Sequence, residues 1–115
     1  MAIEKGLVLL VTSNRLGTGD DELGEALLFK FLNELAGTAV MPERIMFLNS
    51  GVKLVADDSP AVPQLKRLAA AGVEILACGT CVEWFELGEH LAVGRQTNMT
   101  SVVAQMTTAS KVVSL

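Results

Sequence analysis

A three-layer α/β/α domain with a mainly parallel sheet of about five strands is the fold class that the sequence predicts, and three observations carry that expectation. Continuous apolar runs rich in β-branched residues, Gly6-Leu-Val-Leu-Leu-Val-Thr12 foremost, read as strands buried on both faces. Segments with apolar residues at helical spacing alternate with these runs, which calls for right-handed crossovers and helices on both sides of the sheet. Each run also ends in a short polar turn. In parallel sheets such turns collect beyond the carboxyl ends of the strands, where ligands bind.

The elements follow in order. After Gly17 and Gly19, Asp20-Asp21-Glu22 supplies a cap and negative charge for a helix start. Leu23, Leu27, Leu28, Phe31, Leu32 and Leu35 then recur at helical spacing, and Gly37 is the expected stop. A second strand reads from Arg44 to Leu48 and ends in Asn49-Ser50-Gly51, before Val52-Lys53-Leu54. Pro60 and Pro63 open a helix through Leu65, Leu68 and Ala69, with Gly72 as its C-cap. Val73 to Ala77 is the third strand, and it runs into Cys78-Gly79-Thr80-Cys81. A short helical piece, Val82 to Leu87, stops at Gly88, and Leu91 to Val93 is the expected fourth strand. Asn98 caps a helix through Val102, Val103 and Met106, and Lys111 to Leu115 forms the last strand. No repeat, linker or low-complexity segment interrupts the series, so residues 1–115 read as a single domain.

The composition narrows the function. Half of the 115 residues are apolar, enough for a core without disulfide staples. A net charge of −4 disfavours nucleic acid or an anionic membrane as a partner. No apolar run approaches the roughly 20 residues that span a bilayer, and the N-terminus lacks a signal-peptide cleavage pattern, so the expectation is a cytoplasmic protein. The mean hydropathy of +0.44 is high for a soluble monomer. Phe29, on the otherwise polar side of the first helix among Glu22, Glu25 and Asn33, suits a subunit contact. A homo-oligomer is expected.

Cys78 and Cys81 are the only cysteines, too few for the disulfide framework of a secreted domain. A thiol at a strand-to-helix junction lies near backbone N–H groups that favour thiolate. A structural zinc needs four ligands, and beyond the cysteines the chain offers only His90 and carboxylates, so no metal is expected within one chain. The spacing fits dithiol redox chemistry, although the aromatic and proline usual around a thioredoxin pair are lacking. Two inert, packed cysteines are the plainest alternative. The polar Gly79-Thr80 between them weakens it. Nucleophilic or sulfur-carrying chemistry at Cys78 is the fourth reading, and Glu83 and Glu86 oppose thiolate formation there.

The turns supply a candidate binding set on one sheet edge. Asn14 follows the first strand, Asn49, Ser50 and Gly51 follow the second, Gly79 and Thr80 follow the third, and Asn98 stands with Thr97. Gly51 permits close backbone approach, and Lys53 offers positive charge near Cys78 or is simply a solvated lysine. Gly17-Thr-Gly19 reads as a tight turn, since Asp20-Asp21-Glu22 would repel a phosphate. His90 reads as a surface or capping residue. Trp84 and Phe85 read as core, or as an apolar mouth over the thiol.

Four ordered blocks carry a family resemblance: Leu16-Gly-Thr-Gly-Asp-Asp-Glu-Leu-Gly24, Phe47-Leu-Asn-Ser-Gly-Val-Lys-Leu54, Gly72-Val-Glu-Ile-Leu-Ala-Cys-Gly-Thr-Cys81 and Val93-Gly-Arg-Gln-Thr-Asn-Met99. On these blocks the chain resembles the DsrE-like sulfur-relay proteins, in particular the DsrE-like domain of YedF-type proteins linked to selenium metabolism. The resemblance implies a DsrE-like fold, homo-oligomers, and a sulfurtransferase-like relay of sulfur or selenium. It implies that Cys78 holds sulfane sulfur as a persulfide, with Cys81 as a resolving or second carrier thiol. Relay by exchange requires no dissociable cofactor. YedF-type proteins commonly carry a TusA-like carrier domain as well, and its absence from this sequence implies a separate TusA-like donor. Beside this stand two other functions, a non-catalytic binding or assembly module with structural cysteines and a CxxC thiol–disulfide redox protein. Cys78, fixed by its strand, is expected to be the reachable thiol, with Cys81 turned inward toward Trp84 and Phe85.

Overall fold

The computed structural model describes residues 2–115 as five strands and four α-helices, with a 3-10 segment after the second strand. Strands β1 (Ala2–Val11), β2 (Val40–Phe47), β3 (Glu74–Cys78), β4 (Arg95–Thr97) and β5 (Lys111–Ser114) form one sheet in the order β4-β3-β2-β1-β5. Every pairing is parallel. Helices α1 (Asp21–Leu35), α2 (Val62–Ala70), α3 (Gly79–Trp84) and α4 (Met99–Thr108) make the crossovers. The 3-10 segment covers Asn49–Val55.

Alternation along the strands divides the core. Leu9, Val11, Ile45, Phe47, Ile75 and Ala77 pack with Leu28 and Leu32 of α1 and Leu65 and Leu68 of α2. Val8, Leu10, Met46 and Leu76 pack with Val102 of α4. The unbroken apolar run of β1 is thus explained by burial on both faces, each large side chain contributing about 1.5–3 kcal/mol. Side-chain caps mark the starts of α1 and α4 as expected. The Asp20 carboxylate accepts from the Leu23 N–H at 2.9 Å, and the Asn98 side chain accepts from the Ser101 N–H at 2.8 Å.

Several boundaries differ from the sequence reading. Strand β1 starts at Ala2 and carries an irregularity between Glu4 and Val8, where the Gly6 N–H donates to Glu43 Oε1 at 2.9 Å. The fourth strand is Arg95–Thr97, not Leu91 to Val93; Leu91 makes only an isolated antiparallel bridge with Ala56. Val93 instead enters the core, and Gly94 turns the chain into β4 so close to β3 that a Cβ would lie 2.6 Å from the Ile75 carbonyl oxygen. Helix α3 starts at Gly79, three residues before its expected start. On α1, Phe29 is half-buried against the core while Leu23 and Leu27 face outward, so the solvent-facing apolar residues of that helix are these leucines.

A charged network ties β2, β3, β4 and α4 together. Arg44 Nε donates to Glu74 Oε1 at 3.0 Å, and Arg95 donates to Glu74 Oε2 at 2.6 Å. Arg44 also pairs with Glu43 and donates to Gln105 of α4. Partial burial of Glu74 opposes its ionisation, but the hydrogen bonds and charges of Arg44 and Arg95 outweigh it and hold the carboxyl below its ordinary 4.5. A lowered carboxylate pKa contributes stability above the unfolded value, and this is lost as pH falls through the folded one. Solvent screens the pair, so the contribution is at most about 1 kcal/mol. Urea unfolding of wild type and Glu74→Gln should differ at about pH 7 and converge near pH 3; a gap that persists in acid would mean the loss comes from packing.

Candidate functional site

The carboxyl ends of β1, β2 and β3 lie side by side, as parallel pairing requires. The Leu48 N–H donates to the Val11 carbonyl at 2.9 Å and binds the start of the 3-10 segment to β1. Gly51 then passes so close to β1 that a Cβ would lie 3.2 Å from the Val11 carbonyl carbon and 3.4 Å from the Ser13 nitrogen. Ser50 Oγ accepts from the Asn14 N–H at 3.2 Å, joining the first two polar turns.

That approach places Asn49 over the third turn. Asn49 adopts φ 50°, a left-handed conformation that asparagine tolerates better than most residues, and its N–H donates to Cys81 Sγ at 3.1 Å. The site therefore depends on Asn49 through its backbone. Cys78 ends β3 and is 1 % exposed. Cys81, one turn into α3, is partly exposed and packs against the core. Both are free thiols. The sequence reading expected Cys78 to be the reachable thiol and Cys81 to turn inward, and the order of exposure is the reverse. The reason is that α3 begins directly after Cys78, so the first turn of helix covers the strand end and presents Cys81.

Asn49, Thr80, Cys81, Trp84 and Phe85 line a hollow of about 210 Å³. Desolvation pushes the Cys81 thiol above its ordinary 9.0; the Asn49 N–H pulls the other way, and the neighbouring Cys78 thiol adds to the rise. Cys81 is thus mostly a neutral thiol at neutral pH, and its nucleophilic form grows with pH.

The remaining expected residues divide among other places. Lys53 Nζ lies 4.5 Å from the centroid of the Phe85 ring, so the aromatic face engages its charge at the side of the Cys81 hollow that Phe85 lines. Lys53 and Asn14 line a separate hollow of about 270 Å³ with Phe29 and Pro60. Gly79 borders a trough of about 460 Å³ with Glu83, Glu86, Glu89 and His90, on another side of α3. A Cβ at Gly79 would lie 3.1 Å from the Thr97 carbonyl oxygen, so this glycine serves the contact with β4. Asn98 spends its side chain on the α4 cap. His90 is exposed, with Nδ1 3.5 Å from Asp57 Oδ2. Of the two readings of Trp84 and Phe85, core or an apolar mouth over the thiol, the second describes Trp84: it is 79 % exposed and, with Phe85, lines the hollow with Cys81. Among the described residues, no group of three or more His, Cys, Asp or Glu is arranged to hold a metal ion, and no helix is long and apolar enough to cross a membrane.

Comparison with protein-family models and with curated proteins finds no match. The fold itself recurs in solved structures. The chain is similar to MTH1491, a protein of unknown function from Methanobacterium thermoautotrophicum, with a TM-score of 0.71 at 19% identity over 97% of this chain and 100% of that one. It is similar to the ychN protein of E. coli, with a TM-score of 0.68 at 14% identity over 97% and 100%. A third likeness is to BT1422 from Bacteroides thetaiotaomicron, a conserved protein of unknown function, with a TM-score of 0.64 at 16% identity over 96% and 95%. At these identities the likeness is one of fold.

Proposed function

We propose that this chain is a sulfur-relay protein of the DsrE-like kind, passing sulfane sulfur through the pair Cys78 and Cys81 without a dissociable cofactor. The observation that carries the reading is one thiol in an open hollow, Cys81, with a second, sealed thiol, Cys78, three residues earlier at the junction of β3 and α3. The fold and the four sequence blocks that resemble DsrE-like proteins support it. In the loading step the Cys81 thiolate attacks the terminal sulfur of a donor persulfide. The new sulfur–sulfur bond forms on Cys81 as the donor's breaks, and the donor leaves as a thiolate that takes up a proton. Cys78 then attacks the outer sulfur, receives it as its own persulfide and returns the thiolate to Cys81. In this division Cys81 meets the donor and Cys78 holds the cargo away from water. Sulfur and selenium obey the same scheme.

Intact-mass analysis after exposure to a sulfane-sulfur donor tests the reading. The expected result is a gain of about one sulfur atom that a reducing thiol removes. The initial loading rate should still be rising at about pH 9, because the Cys81 pKa is raised. A rate that levels off below about pH 7 would mean a thiol activated in some other way. The closeness of the thiols favours a second reading, a dithiol–disulfide couple. That reading replaces the first if no sulfur is gained and the pair cycles with a defined potential. Two thiols that label only on unfolding would leave the assembly-module reading.

The chain's expected self-association is proposed to use α4. Met99, Val103 and Met106 stand exposed at a spacing that puts them on one face of the helix. Light scattering at micromolar concentration should give more than one chain per particle, and Val103→Lys with Met106→Lys should reduce the mass. A monomeric wild type would end this proposal.

A further inference from the structure

A backbone group of the second polar turn is aimed at the thiol of the third. Two bonds to the β1 side flank it, the Leu48 N–H on the Val11 carbonyl at 2.9 Å and the Asn14 N–H on Ser50 Oγ at 3.2 Å. Between them Asn49 is held at φ 50° with its side chain exposed, and its N–H meets Cys81 Sγ at 3.1 Å. A donor fixed in this way needs no reorganisation when charge appears on that sulfur. The hollow of about 210 Å³ that Cys81 lines has room for a further sulfur atom attached to Sγ.

Resting on the relay reading above, we infer that the Asn49 N–H decides which of the two sulfurs of a Cys81 persulfide is attacked, and so whether sulfur is handed on or lost. Such a persulfide offers an acceptor thiolate two targets. Attack on the outer sulfur joins it to the acceptor; its bond to Sγ breaks, and Sγ leaves with the electron pair as the Cys81 thiolate, which takes up a proton. Attack on Sγ instead joins the acceptor to Cys81 as a mixed disulfide, and the outer sulfur leaves with the pair as hydrosulfide. Only the first route puts the leaving charge on the atom that the Asn49 N–H touches. A hydrogen bond to an ionised group is roughly twice as strong as one between neutral groups, so the donor makes Sγ the better leaving group and favours transfer over loss. The same bond favours the Cys81 thiolate over its thiol, against the desolvation that raises the pKa. The residue type fits the task, because asparagine accepts a left-handed backbone that a β-branched residue resists.

The test is made in Cys78→Ser, where Cys81 is the sole thiol. Cys81 is converted to its mixed disulfide with 5-thio-2-nitrobenzoate; hydrosulfide then displaces the coloured thiolate and leaves the persulfide. One equivalent of N-acetylcysteine is added, and intact mass separates the two outcomes, free Cys81 and the N-acetylcysteine adduct. The ratio of free thiol to adduct should fall about tenfold in Asn49→Val, where the N–H is turned away. Asn49→Gly keeps both the conformation and the N–H, and its ratio should stay within about twofold of the parent. The midpoint of iodoacetamide labelling should rise by about one pH unit in the valine variant alone. In the parent the Asn49 amide proton resonance should move in step with the ionisation of Cys81, a reading independent of how Asn49→Val folds. An unchanged ratio in folded Asn49→Val, an equal fall in Asn49→Gly, or an amide proton indifferent to the ionisation of Cys81 would overturn the inference. The persulfide is made chemically, so a protein that takes no sulfur from a sulfane donor yet shows the Asn49 dependence removes the relay reading alone. Loading from the donor without that dependence removes the inference alone.

Discussion

Cys81→Ser should abolish sulfur loading, with an initial rate at least about a hundredfold below wild type, while Cys78→Ser should still gain one sulfur atom. The argument rests on access. Attack on a sulfane sulfur needs the thiolate to come into bonding distance along the sulfur–sulfur axis, and Cys78 is 1 % exposed at the end of β3 under the first turn of α3. Cys81 lines the open hollow and receives the Asn49 N–H. A serine at 81 keeps the shape of the helix and removes the partly exposed thiol, leaving only the buried one at Cys78. Without Cys78 the persulfide stays on the exposed residue, so in Cys78→Ser it should be lost to an external thiol faster than from wild type. Full loading of Cys81→Ser alongside no loading of Cys78→Ser would restore the division of roles expected from the sequence, and would require the strand end to open.

Gly51→Ala should destabilise the chain by about 3 kcal/mol, with a fall in melting temperature of about 10 °C or more. A Cβ at Gly51 enters the van der Waals shell of the Val11 carbonyl oxygen and also crowds the Ser13 nitrogen. These are backbone atoms of β1, an interior strand, and of the turn that follows it. They cannot swing aside as a flexible side chain does, so the 3-10 segment must move. That movement withdraws the Asn49 N–H from Cys81 Sγ, and the variant should also lose the labelling behaviour of Cys81. Gly88→Ala is the control: no atom lies within 4 Å of its Cβ position, and its melting temperature should change little. Similar melting temperatures for the two variants would show that the chain passes Val11 less closely.

What the sequence disclosed follows from which residues are fixed by burial. Strands β1 and β3 and the second half of β2 were legible because both of their faces are buried, which leaves apolar runs; the first half of β2, Val40 to Glu43, was hidden by Pro42 and Glu43. Strand β4 was not legible. Arg95-Gln96-Thr97 pairs on one side only and is largely exposed, so it shows no apolar pattern, while nearby Leu91 to Val93 does. The start of α3 was hidden because Gly79 reads as a breaker and Cys78 offers no side-chain cap. That shift of three residues is what inverted the exposure of the two thiols. The bond from Asn49 to Cys81 spans 32 residues and depends on a left-handed asparagine, a feature that no local pattern encodes.

The strand order also bears on how the protein resists fibril formation. The outermost strands are the shortest, three residues in β4 and four in β5, and each carries a cation, Arg95 and Lys111. Short, charged margins are poor templates for a strand from another molecule. The stretch that would template well is Leu7–Val11, β-prone and uncharged, and it is walled in by β2 on one side and β5 on the other. The wall on the β5 side is thin, since its paired residues run only from Lys111 to Ser114. On heating, detachment of those few residues is enough to bare the flank of β1, so the carboxyl-terminal strand acts as the latch on the chain's most amyloid-prone segment.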